Sequence, residues 1–384
     1  MKVTVAIDSF KGSLDTFQSG AAVAEAIRDV YHGAEVTVCP VADGGEGTVA
    51  AIVSALNGRT CRAEVCGPLG DRVVAEYGVI PEKRLAVIEM SSAAGITLVP
   101  EEKRNPLDTT TYGVGELIRR AIEEMDCRHF IIGIGGSATN DGGLGMLSAL
   151  GFEFLDSCGK AVSKSGKGLR DIAKINTDKS LPELKECSFE VACDVTNTLC
   201  GELGCSRIYG PQKGADEETI VKMDAWLSSY ANLTKNILKN ADPNFPGAGA
   251  AGGLGFAFLS YLNASLTSGI ELVTRVTELE KHVKDSDIIV TGEGRLDVQS
   301  CMGKAPVGIA KIAKKYGKPV IAFAGAVTND ATVCNEHGID AFFPIVRTPC
   351  SLDEAMDKSN AYANLKSTAE QVFKLIKTFS KKKN

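Results

Sequence analysis

The chain has 384 residues, 44% hydrophobic and 23% charged, which is long enough for two or three domains with their own cores. Its 48 acidic and 42 basic side chains leave a net charge of −6, which excludes a general basic surface for nucleic acid. No apolar run approaches the ~18 residues of a membrane span, and twelve cysteines without Cys-x-x-Cys spacing argue against a disulfide scaffold or a zinc module.

In chain order, residues 3–7 read as a buried strand, 15–30 as a helix stopped by Gly33, 35–41 as a strand and 46–56 as a helix closed by Gly58. The runs 60–66, 72–80 and 85–90 then read as an antiparallel meander. A helix over 114–125, a strand over 130–134 and a helix over 143–150 follow. Residues 151–269 mix short strands and long loops with helices near 216–238 and 253–262. Alternation returns with strands at 288–291, 320–323 and 341–344 and helices at 307–316, 330–336 and 353–379. The pattern predicts an α/β fold: a doubly wound parallel-sheet domain from residues 1–59 and 268–384, with a mixed α/β domain inserted over 60–267. The apolar N-terminal stretch is too short for a signal peptide and holds Asp8, so a cytoplasmic location is expected. The lysine-rich tail from Ser380 reads as a solvated end.

Ligands of an open parallel sheet sit beyond the carboxyl ends of its strands, where the polar glycine-rich segments fall. In Asp8-Ser-Phe-Lys-Gly-Ser13, Lys11 suits a phosphate or carboxylate and Ser13 suits an anion at a helix start; a simple helix cap explains the segment equally well. In Asp43-Gly-Gly-Glu-Gly-Thr48, Asp43 and Glu46 would repel unless protonated or bridged by a cation. Residues 133–138 match a dinucleotide fingerprint in letter, with Glu153 at ribose-binding distance, but Thr-Asn-Asp-Gly-Gly breaks the required helix. An anion or substrate loop using Asn140 and Asp141 is the better reading. Asp194 at a strand exit reads as a turn former or an active acid, and Gly210-Pro-Gln-Lys-Gly214 is unremarkable. Residues 247–252 read as a mobile glycine-rich loop before a helix. The stretch Thr291-Gly-Glu-Gly-Arg-Leu-Asp-Val-Gln-Ser-Cys-Met-Gly-Lys304 reads as strand, carboxylate-bearing glycine turn, lysine and helix start, a way to hold metal-bound phosphate. It is not a Walker A motif.

Taken in order, Asp8-Ser-Phe-Lys-Gly-Ser13, Ala42-Asp-Gly-Gly-Glu-Gly-Thr48, Gly135-Gly-Ser-Ala-Thr-Asn-Asp-Gly-Gly143, Tyr209-Gly-Pro-Gln-Lys-Gly-Ala215, Gly247–Gly255 and Thr291-Gly-Glu-Gly294 resemble signatures of the type I glycerate kinase family of bacteria. The likeness departs around 194–204, where the family usually has Pro after Asn197. The resemblance implies a flavodoxin-like domain interrupted by a mixed α/β domain. It also implies transfer of the ATP γ-phosphoryl group to D-glycerate with Mg²⁺, giving 2-phosphoglycerate in preference to 3-phosphoglycerate.

On that reading Lys11, Asp43 and Asp194 are catalytic, and Ser13, Ser137, Asn140, Asp141 and Lys304 bind substrate. Gly292, Gly294, Gln299 and Gly325 take the nucleotide, and Asp43, Glu46, Glu293 and Asp297 take the metal. The expected partners are ATP and the small acid, with no nucleic acid or membrane, for a monomer or homodimer. Rival readings are a kinase of another small hydroxy acid, an NAD-dependent dehydrogenase using the 133–138 fingerprint, and a non-catalytic ligand sensor.

Overall fold

The structure, a computed structural model, describes residues 1–380; the 381–384 end of the lysine-rich tail lies outside the described residues. The chain forms two compact units, one of residues 1–43, 50–56 and 270–384, the other of 44–49 and 57–269.

The first unit is built on a five-stranded sheet with Lys2–Ile7 between Glu35–Val38 and Ile288–Leu296, followed by Val320–Val327 and Ala341–Pro344 at the far edge. Every pair is parallel. Counted along this unit the order is 2-1-3-4-5, the flavodoxin-like arrangement, with its topological switch between the first and third strands. Alternate side chains feed two cores, as a strand's period of two requires. Val3, Val5, Ile7, Val290 and Phe323 join a cluster with the helices Thr16–Val30 and Lys358–Ser380. Ala6, Ile289, Val320 and Ala322 join another with Leu279–Asp285 and Ala305–Lys315. The Thr16–Val30 helix begins with a capping box in which Asp15 accepts the Gln18 N–H and Gln18 answers to the Asp15 N–H.

Residues 291–296, expected as a turn, are instead the continuing Ile288–Leu296 strand, with Glu293 opposite Ala324 and Arg295 opposite Ala326. Glycine is what lets the strand run on: a Cβ at Gly292 would stand 2.1 Å from the Phe323 carbonyl oxygen.

The second unit holds a six-stranded mixed sheet. Ser265–Thr267, Ser188–Ala192, His129–Gly133 and Leu85–Glu89 are parallel neighbours, and Arg72–Ile80 and Arg59–Cys66 continue it antiparallel, as the meander predicts. The helices Tyr112–Glu123, Glu217–Ile237 and Ala250–Tyr261 share its single large core. The 247–252 segment, expected as a loop before a helix, already enters the Ala250–Tyr261 helix. It is packed and kinked, with left-handed φ at Ala251, Gly252 and Gly253, and the Gly252 carbonyl accepts the Gly142 N–H at 2.9 Å. All twelve cysteines are free thiols, of which Cys158 and Cys350 are exposed.

The close approach at Gly252 is testable. Its φ of +68° and the Thr139 carbonyl oxygen 2.1 Å from a built Cβ both oppose a side chain. Gly252→Ala should cost at least ~2 kcal/mol of stability, read as a lower melting temperature; an unchanged melt would contradict the packing.

Candidate active site

The carboxyl ends of the first unit's central strands gather three acids and two lysines. Asp8 leaves the first strand with its N–H bonded to the Gly292 carbonyl at 3.0 Å and its Oδ1 accepting the Ser9 N–H at 2.7 Å. It is only 4% exposed. Lys11, whose side chain is 69% exposed, reaches to 3.4 Å from Asp43 Oδ2. On the neighbouring strand, Glu293 is 8% exposed; its Oε1 accepts the Ser300 hydroxyl and its Oε2 lies 3.8 Å from Lys304 Nζ.

Such crowding shows in the acids' titration. Burial, and next the Asp43 carboxylate, lift Asp8 from the usual aspartate range to about 7, with Glu293 adding to the shift and Lys11 opposing it. Burial also raises Glu293, against the Ser300 hydrogen bond and Lys304, while Asp297 and Asp43 reinforce it. A site that holds Asp8 part-protonated near neutrality is suited to proton transfer or to a cation. Ser13 Oγ and Thr291 Oγ1 are buried here without a protein partner among the described residues.

Of the residues predicted for this unit, Lys11, Asp43, Glu293 and Lys304 come together. Asp297 lies near Glu293, but its carboxylate caps the Val298–Met302 turn through the Gln299 N–H at 2.9 Å and meets Arg295 at 3.3 Å. Gln299 is exposed on that turn. Gly294 and Gly325 are neighbours in the sheet: a Cβ at Gly325 would stand 2.6 Å from the Gly294 carbonyl. Glu46 groups with the second unit, where it helps to raise the pKa of Glu89; burial is the main cause of that shift. Glu89 Oε1 accepts the Val49 N–H at 2.8 Å, which anchors the segment after Asp43.

In the second unit the loop after His129–Gly133 stays irregular until the Leu144–Ala149 helix, so the dinucleotide fingerprint lacks its helix. Gly135 and Gly136 are exposed there, and Ser137 Oγ accepts from Lys213 Nζ at 2.9 Å. Asn140 is fully buried and donates to Ser206 Oγ at 2.8 Å. Asp141, also fully buried, accepts the Thr111 N–H and hydroxyl and the N–H groups of Gly143 and Gly145. Four protein donors account for Asp141 without any ligand. Asp194 is exposed beyond the Ser188–Ala192 strand, with Oδ1 accepting the Gly269 N–H at 3.0 Å.

Sequence reasoning gave no role to Lys213, Glu89 or Ser300, and marked Asp8 only as an acid at a strand exit. For Asp8 a signal existed, because an acid directly ending a β-branched apolar run is placed at the buried mouth of a sheet.

The family model for the glycerate kinase family matches residues 3–377. The chain belongs to this family. It is 48% identical to glycerate 2-kinase of Escherichia coli K12, over 95% of each chain, and 44% identical to glycerate kinase of Bacillus subtilis 168, over 98% of each. A crystal structure assigned as glycerate kinase 2 from Salmonella typhimurium LT2 superposes with a TM-score of 0.90 at 44% identity, covering 99% of both chains. As a family member the protein is a kinase, and the mixed α/β architecture with parallel sheets is that of the solved relative. Among the described residues no helix is long and apolar enough to cross a membrane.

The raised pKa of Asp8 carries a sign. Between about 4 and about 7 the folded state binds a proton that the unfolded chain has released, so this group's contribution to stability is lost as pH rises through that window. Asp8→Asn should therefore melt ~2 °C above wild type at pH 8, with the gain vanishing towards pH 4. A lower melting point at pH 8 would refute the buried, crowded placement.

Proposed function

We propose that the protein transfers the γ-phosphoryl group of ATP to a hydroxyl of D-glycerate, releasing ADP and 2-phosphoglycerate. The observation that carries this reading is the Asp8–Lys11–Asp43–Glu293 cluster at the switch point of the parallel sheet in a member of this family. The 48% identity to a glycerate 2-kinase supports the 2-hydroxyl as acceptor.

Phosphoryl transfer asks a protein mainly for positioning and for neutralisation of charge on the transferring group. Lys11, exposed and paired with Asp43, supplies a mobile point charge for phosphoryl oxygens. Asp43, held by that pair, orients the acceptor hydroxyl, and Asp8 beside it receives the proton at its carboxylate. Lys304 offers a second ammonium to the anion, and Ser13 offers its unpartnered hydroxyl. Gly292, Gly294, Gln299 and Gly325 present backbone and amide groups to the nucleotide. Asp194 is assigned a supporting role, because it already accepts from Gly269. Ser137 binds the small acid through its hydroxyl.

The residues present fit a magnesium ion that arrives with the nucleotide. Among the described residues no three His, Cys, Asp or Glu side chains form a ready-made metal cage. Mg²⁺ characteristically takes one or two carboxylates and completes its shell with phosphate oxygens and water. Asp43 and Glu293 would hold it, and its charge would oppose the burial and the Asp43 repulsion that raise Asp8. When bound, the ion neutralises phosphate charge.

The test is ADP release in a coupled assay with D-glycerate against other small hydroxy acids. Product is then identified with enolase, which accepts 2-phosphoglycerate but not 3-phosphoglycerate. ADP release that depends on D-glycerate, with product consumed directly by enolase, is expected; NADH binding with no ADP release would overturn the reading. Lys11→Ala and Asp43→Asn should each lower kcat/KM by at least ~10²-fold in folded protein. Near wild-type rates would remove either residue from the site.

A further inference from the structure

Lys213 poses a physical problem that the cluster above does not explain. It is 2% exposed, and no acid forms an ion pair with it among the described residues. Its Nζ donates to the Ser137 hydroxyl oxygen at 2.9 Å and to the Thr139 carbonyl at 2.6 Å. Its hydrogen-bond partners are neutral, and the Asp141 carboxylate offsets the cost of burying the ammonium only in part.

The geometry shows what that charge does. An ammonium has donors and no acceptor, so Ser137 Oγ must accept from it, and the Ser137 O–H must point elsewhere. Among the described residues no protein acceptor takes that O–H. Gly135 and Gly136, immediately before Ser137, are exposed, and Ser137 itself retains 9% exposure. Thr139 Oγ1 and Asn140 Oδ1, further along the loop, are buried without partners, so the loop is not a closed hydrogen-bond network.

We propose that Lys213 is a positioning and specificity residue that acts through Ser137, fixing its hydroxyl as an outward donor to the carboxylate of the small-acid substrate. This rests on the glycerate kinase reading. Lys213 need not touch the substrate: its charge polarises the Ser137 O–H and forbids the inward rotamer in which that proton would be wasted on the protein. A methionine of similar length would fill the same space and leave the hydroxyl undirected.

A pH dependence supports the geometry. Burial lowers the pKa of Lys213 to about 8, against the opposing pull of Cys205 and Asp141, the two titratable groups that face it. Above that pH the neutral amine can accept the Ser137 proton, and the donor to substrate is lost.

The experiment uses the full-length enzyme, with initial rates of ADP release measured against D-glycerate and ATP separately from pH 7 to 9.5. The wild-type KM for D-glycerate should rise ~5-fold or more above pH 8 while the KM for ATP stays level. Lys213→Met should raise the KM for D-glycerate ~10-fold at pH 7.5, with kcat changed less than ~3-fold, and should lose the pH dependence. Ser137→Ala should match it, and the double variant should be no worse than either single one.

A KM for D-glycerate in Lys213→Met within ~2-fold of wild type, or an equal rise in the KM for ATP, overturns the inference. If Lys213→Met does not fold, a wild-type KM flat across pH 7 to 9.5 overturns it in the same way. An active wild type with that flat profile leaves the kinase reading standing, whereas no turnover of D-glycerate at any pH overturns both.

Discussion

Burial of the Asp8 and Glu293 carboxyls, reinforced by the Asp43 carboxylate beside them, is the constraint that organises the first unit's chemistry. The protein relieves it in part with Lys11 and Lys304, and with the Ser300 hydroxyl donated to Glu293. What remains is a demand for positive charge, which the proposed Mg²⁺ would meet. Stability is sacrificed locally so that binding and proton transfer have a prepared place, a common arrangement at sites of chemistry. The parallel sheet makes this possible, because the first strand ends at Ile7 opposite Gly292, which brings Asp8 beside Glu293 of the longer neighbouring strand.

The second unit inverts the electrostatics. There a lysine is buried among neutral oxygens, while the nearest acid sequence suggests, Asp141, is spent on holding the loop and the start of the Leu144–Ala149 helix. Rigid support of this kind matters for a hydroxyl that must be aimed. The packed glycines at 252 and 253 contribute by bringing one backbone against Thr139 and Gly142, an approach any side chain would block.

Much of this was legible in the sequence. Continuous β-branched runs marked the parallel strands, and the change to alternating runs marked the antiparallel meander. Lys11, Asp43, Glu293 and Lys304 stood out because charged residues among glycines at strand ends have few structural reasons to be there. The 291–296 stretch misled because glycine usually signals a turn; here it permits close strand pairing instead. Glu46 groups with the second unit and Asp43 with the first, a division that the spacing of the two acids does not reveal.

The burial of Lys213 was not legible, although its segment carries a family signature. Pro-Gln-Lys-Gly has the composition of an exposed turn, and only tertiary packing buries the lysine. Asp141 shows the converse: its motif looked like a substrate contact, and its partners prove to be backbone amides and a threonine. Local pattern locates charged side chains in a loop. It does not say which of them the fold will consume.

The most direct test of the crowded-acid account is a ¹³C NMR titration of the Asp8 side-chain carboxyl in metal-free protein. The account predicts a midpoint near 7. A midpoint in the ordinary aspartate range near ~4 would mean that Asp8 is neither buried nor pressed by Asp43 and Glu293, and the account would fail.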